Sequence, residues 1–183
     1  MDRGLVEAAQ RGDRDSFADL MRSVGDGLYA IAYRILRDPH LAQDAFQETA
    51  IAAWRLMPYL RDRVRFEAWM HRILVHACYA ESRKRTRWTA NIRVIESDED
   101  PSADRAPSIL DRDELERGFA TLSVDHRAVF VLHHYVGLSL VEIADRLGIP
   151  AGTARSRLHY AAQALRAALD EHAAPVTPKE RLA

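Results

Sequence analysis

Near the C-terminus the chain reads "GLSLVEIADRLGIPAGTARSRL", residues 137–158. Ser139 followed three positions later by Glu142 fits a capping box, in which each side chain satisfies an orphan backbone donor of the other. Leu140, Ile143, Ala144 and Leu147 then fall on one helical stripe. Gly148 can take the left-handed conformation that ends a helix, and Pro150 suits the start of the next. The second helix would bury Ala154, Leu158, Ala161, Leu165 and Leu169, and show Gly152, Arg155, Ser156, His159 and, toward an edge, Arg157. Two short helices joined by a tight glycine turn, the second cationic at its start, form the helix-turn-helix pattern. The exposed amides and positive dipole end of that helix favour phosphate, and the planar fork of Arg155 matches a guanine edge.

Upstream, apolar residues recur almost everywhere at helical spacing, and no stretch alternates like a strand. Asp15 to Leu36 carries one apolar stripe, with Gly25 and Gly27 marking a possible break. Asp38 and Pro39 fit an N-cap and first helical position, and Pro58 stops the helix that follows near Met57. "PYLRDRVR", residues 58–65, reads as a loop. From Phe66 another helix carries Phe66, Trp69, Met70, Ile73, Ala77 and Ala80 at spacings of three and four. The composition then turns acidic and proline-containing, as in a flexible connector, before helical pattern resumes near Leu110. The chain reads as all-α: two small helical domains, 1–90 and 111–172, joined by a flexible acidic linker over 91–110 and followed by a loose tail over 173–183.

The net charge of −1 hides a sorted distribution. Arg61 to Arg87 holds eight Arg or Lys against three acids, Arg146 to Arg166 four arginines and no acid, and Glu96 to Glu116 nine acids against two arginines. Two basic patches thus flank an acidic tether. No run of about 18 apolar residues and no apolar signal core at the start leave a soluble cytoplasmic protein as the expectation. Enzyme chemistry is the weakest option. There is no glycine-rich phosphate loop, and Cys78 sits in an apolar stretch without an activating pattern. His133 and His134 are adjacent and expected to point apart, and neither HExxH nor CxxC occurs. No metal and no cofactor are expected.

Three stretches, "DAFQETAIAAWR", "FEAWMHRIL…SRKR" and "GLSLVEIADRLGIPAGTARSRL", stand in this order with an acidic gap before the third. In that arrangement the chain resembles a bacterial sigma factor of the sigma-70 superfamily, in its extracytoplasmic-function group, over about residues 10–88 and 112–170. The resemblance implies a factor that binds core RNA polymerase, directs it to promoters and promotes DNA melting, with an anti-sigma factor as an optional partner. It implies that Asp44, Gln47, Glu48, Ile51 and Arg55, one face of a helix, dock on the polymerase. Without the resemblance a solvated helix face is the favoured reading of them. It implies that Tyr59, Arg61, Arg63, Arg72, His76, Arg83, Lys84 and Arg85 capture the −10 element as single strand, where aromatic rings take unstacked bases and cations follow the backbone. His76 stands where the family usually has Asn, and Ala80 where Asp is common, which puts the usual −10 base preference in doubt. Gly152, Thr153, Arg155, Ser156, Arg157 and His159 would meet the −35 element as duplex. The acidic linker would thread toward the polymerase's nucleic-acid channel or serve as a solvated tether. The rival reading is a helix-turn-helix regulator that acts without a stable polymerase complex. A helical adaptor that binds only protein is a third.

Overall fold

The computed structural model describes residues 3–95 and 117–173, and among them there is no strand. The acidic stretch 96–116 and the tail residues 174–183 lie outside the described residues. Helix α1 spans Arg3–Gln10, α2 Arg14–Leu36, α3 Pro39–Leu56 and α4 Phe66–Ile95. Two 3-10 turns, Met57–Tyr59 and Arg63–Arg65, fill the connection before α4. After helical residues 117–121 come α5, Val124–His134, α6, Leu140–Leu147, and α7, Ala151–Ala173.

The termini of these helices follow local rules. Asp38 accepts hydrogen bonds from the amides of His40 at 2.9 Å and Leu41 at 3.1 Å, and Pro39 begins α3. Asp13 caps α2 in the same way. The sharp reversal from α2 into α3 is made by Arg37 at φ 59°, the one non-glycine among the described residues with positive φ. The break expected at Gly25 and Gly27 does not occur: α2 is continuous. Gly25 instead lies beside Phe46, whose ring an added Cβ would meet at 3.4 Å, an ordinary contact distance. Helix α4 runs through Ile95, five residues into the segment read as linker. Nothing between Arg87 and Ile95 is glycine or proline, and the acidic composition starts only at Glu96.

In the front half, α3 packs against both α2 and α4, and α1 lies across α2 and the two 3-10 turns. Val6, Leu20, Ile35, Met57, Phe66, Met70 and Leu74 are buried at its centre. Phe66 is 1 % exposed and Trp69 is half-buried against it with ring centroids 5.9 Å apart, so both belong to the core rather than to a binding surface. In the rear half, Leu132, Ile143, Leu147 and Ala154 are buried between α5, α6 and α7. Leu122, Ala161 and Leu165 form a second small cluster with Phe119 and Phe130.

The two halves touch. Helix α5 lies on α2 and α4, and α6 lies on α4. The Arg34 guanidinium stacks 3.8 Å from the Tyr135 ring centre, and Arg65 reaches Asp145 at 3.8 Å. His71 on α4 faces the Arg146 side of α6. Burial, and then the charge of Arg146, holds the His71 imidazole below its ordinary value, while Glu67 pulls it up.

Candidate functional site

The helix-turn-helix is built as its sequence dictates. Ser139 Oγ accepts from the Glu142 amide at 3.3 Å, the Glu142 carboxylate accepts from the Ser139 amide at 2.9 Å, and Gly148 closes α6 at φ 65°. The Pro150 carbonyl accepts from Ala154 N at 3.1 Å, which starts α7. We expect Ser139→Ala to cost about 1 kcal/mol of stability, the usual worth of such a cap. The Glu142 carboxyl is held below its ordinary 4.5, chiefly by the Ser139 amide and then by the Ser139 hydroxyl. A carboxyl with a lowered folded pKa stabilises fully above its unfolded value and loses that contribution as pH falls through the folded one. The gap between wild type and Ser139→Ala in urea midpoint should therefore narrow below about pH 4.5.

On α7, Gly152, Arg155, Ser156 and His159 are exposed on the outer side, and Thr153 and Arg157 are half-buried beside them. An added Cβ at Gly152 would meet nothing within 4 Å, so the fold itself does not require glycine there. The residue leaves room for a close approach from outside. Arg157 is tied to Asp125 at 2.7 Å with its side chain 23 % exposed. Tyr79 of α4 lies beside this pair, and burial together with the Asp125 charge raises its hydroxyl far above the phenolic range.

The front half brings its expected residues into two groups. Arg72, His76 and Arg83 are exposed along one side of α4, at spacings of four and seven. Burial, then the charges of Arg72 and Arg83, lowers the His76 imidazole from its ordinary value. Lys84 and Arg85 turn instead toward α3. Lys84 Nζ pairs with the buried Glu81 at 2.6 Å, and the Glu81 contact, with lesser help from Glu48 and Asp44, raises its ammonium pKa. Arg85 reaches Asp38 at 2.9 Å. In the loop, Tyr59 is 77 % exposed and Arg61 is exposed. Arg63 is drawn back toward α1, where its Nε donates to Gln10 Oε1 at 2.5 Å and its Nη1 lies 3.4 Å from Glu7.

Asp44, Gln47, Glu48, Ile51 and Arg55 are all exposed on the outer face of α3, while Ala42, Ala45 and Ala53 are buried behind them. Ile51 keeps 46 % of its surface in contact with solvent. Among the exposed apolar residues that escaped the sequence reading are Val141 at 71 %, Leu56 at 45 %, Val64 at 68 % and Trp88 at 67 %. The last carried a signal, a large aromatic placed directly after a run of cations.

Burial pushes the Cys78 thiol up to about 12, so the thiolate needed for attack is absent at neutral pH. No group of three or more His, Cys, Asp or Glu side chains suited to a metal occurs among the described residues. The expectation that His133 and His134 point apart is corrected: their ring centroids are 4.8 Å apart. His133 turns to the Leu138 carbonyl at 2.7 Å and His134 stacks on Phe130, and those two attachments bring the rings edge to face. No described helix is long and apolar enough to cross a membrane.

Residues 20–88 match the family model for sigma-70 region 2, and residues 118–167 match that for sigma-70 region 4. The extracytoplasmic-function (ECF) RNA polymerase sigma factor SigL of Mycobacterium tuberculosis is 35% identical over 166 residues, covering 84% of this chain and 91% of its own. SigE of Mycolicibacterium smegmatis is 33% identical over 162 residues, covering 86% of this chain, which spans 63% of that longer relative. Among solved structures, the sigma factor RpoE of Bartonella quintana, crystallised with the anti-sigma factor NepR, superposes with a TM-score of 0.67 at 25% identity, over 84% of this chain and 96% of RpoE. Two regions matched in order, on a helical frame that carries a capped helix-turn-helix at its end, make this chain a member of the sigma-70 family, in its extracytoplasmic-function group.

Proposed function

We propose that this chain is an alternative sigma factor: it binds core RNA polymerase, directs it to particular promoters and promotes opening of the DNA there. The observation that carries this reading is the presence of both regions, in order, on one chain. The α3 face centred on Ile51 docks on the polymerase, as a small apolar centre within polar surroundings fits an interface. Tyr59 and Arg61 receive bases of the melted −10 strand, and Arg72, His76 and Arg83 follow its backbone. Without ATP, the strand stays open only if unstacked bases are caught as they emerge. Arg155, Ser156 and His159 read the −35 duplex, with Gly152 and Thr153 at the phosphates. Arg157, Lys84 and Arg85 reach DNA only after exchanging a carboxylate partner for phosphate.

The closed packing of the two halves has a mechanistic consequence. Elements about 25 base pairs apart lie on the order of 85 Å apart at about 3.4 Å per pair. Halves in mutual contact do not span that distance, so promoter binding separates α5 and α6 from α2 and α4. An anti-sigma factor is the regulatory partner proposed by likeness to RpoE, and the cytoplasm the compartment. Purified chain added to core polymerase should yield specific transcripts from a cognate promoter. Tight duplex binding that core polymerase does not improve would favour the regulator reading instead.

A further inference from the structure

Helix α1 lies before the segment matched by region 2, yet it holds the loop to which −10 capture is assigned. The hub is Gln10. Its Nε2 donates to the Leu60 carbonyl at 2.6 Å and lies 3.4 Å from the Met57 carbonyl, while its Oε1 accepts from Arg63 Nε at 2.5 Å. One amide therefore reaches groups 47 to 53 positions away, on both sides of Arg61. Glu7, one turn earlier, lies 3.4 Å from Arg63 Nη1, and Val6 and Ala9 anchor the helix in the core. Leu60 is buried, whereas Tyr59 and Arg61 on either side of it are exposed. The loop is thus pinned at its centre and at Arg63, with Tyr59 and Arg61 left exposed. Between it and α1 opens a cavity of about 420 Å³ lined by Arg3, Glu7, Gln10, Leu60, Arg61 and Arg63 among others.

Met57 and Leu60 anchor the loop in the core, and the polar cross-brace from α1 comes in addition to that burial. What the brace adds is a single backbone shape for residues 58–63. Binding a flexible strand to a loop ordered beforehand avoids the entropy of ordering both. We propose that Gln10 is a positioning residue for the melted strand: through the Leu60 carbonyl and Arg63 it sets where Tyr59 and Arg61 meet an unstacked base. This rests on the assignment of that loop to the −10 element.

The test uses the full chain bound to core polymerase and a fluorescent single-stranded oligonucleotide. The oligonucleotide carries the non-template −10 sequence of a promoter found by the transcription assay, with each of the four bases in turn at every −10 position. Gln10→Ala should weaken binding of the preferred oligonucleotide about tenfold and shrink the difference between preferred and other bases. Binding of −35 duplex should stay unchanged. Gln10→Glu keeps the length and the acceptor for Arg63 but turns a carboxylate oxygen toward the Leu60 carbonyl, and should lose base discrimination as well. Wild-type affinity and discrimination in both variants would overturn the proposal. So would an equal loss on −10 strand and −35 duplex together with a lowered thermal midpoint, the mark of a merely structural role. If the wild-type complex fails to bind the strand, or Tyr59→Ala leaves binding unchanged, the loop assignment itself is wrong and the proposal falls with it.

Discussion

Arg155→Ala should lower affinity for −35 duplex by about 5- to 150-fold, the worth of a bidentate arginine contact to a guanine edge. Arg155 stands exposed on the outer side of α7. Its neighbours Ala154 and Leu158 face inward, buried and half-buried respectively, so removing the guanidinium takes nothing from the core. Gly152, one turn earlier, gives a DNA backbone room to approach the start of the helix. The loss should fall mainly on the cognate sequence, and discrimination at one base pair should relax. Arg157→Ala should behave differently. Its guanidinium is held by Asp125 at 2.7 Å, so the substitution leaves a half-buried carboxylate without its partner and perturbs the domain along with any phosphate contact. Competition binding against single-base variants of the −35 site separates the two.

Ile51→Asp should weaken association with core RNA polymerase by about 30-fold or more, the scale of a central interface residue replaced by a charge. Ile51 keeps 46 % of its surface exposed on a face otherwise composed of Asp44, Gln47, Glu48 and Arg55. A new carboxylate there adds to two acids already present and brings desolvation and like-charge costs into any interface. Because Ile51 points away from the buried Ala45 and Ala53, the melting temperature of the free chain should hardly move. Duplex −35 binding by the isolated chain should also be unaffected. Equilibrium binding to core polymerase by fluorescence anisotropy, beside a thermal melt, checks both expectations.

Much of the frame is legible in the sequence because its signals are local. The Ser139–Glu142 box, Gly148, the Asp38–Pro39 start and the stop before Pro58 each depend on residues within one turn of one another, and each forms as read. Exposure of the α3 face and burial of Phe66 follow from helical spacing alone. What escaped depends on partners distant in the chain. Arg37 takes a left-handed conformation that a glycine would signal openly, and no rule in the sequence marks an arginine for it. Gly25 and Gly27 read as a break, yet α2 runs through both without interruption. A run of cations at 83–85 reads as one patch, but Lys84 is paired with Glu81 of its own helix and Arg85 with Asp38 at the start of α3, which leaves Arg83 with His76. The brace between Gln10 and the loop joins residues some fifty positions apart, and nothing in the local pattern of either announces it.

In the proposed function a front half grips polymerase and holds melted strand, and a rear half reads duplex. Permanganate footprinting of thymines around the −10 element tests that division most directly. With wild-type chain and core polymerase together, thymines there should become reactive, and with either component alone they should not. Tyr59→Ala should suppress that reactivity while leaving −35 protection in place. Thymine reactivity that persists at the wild-type level in Tyr59→Ala, or that appears with core polymerase alone, would contradict that division.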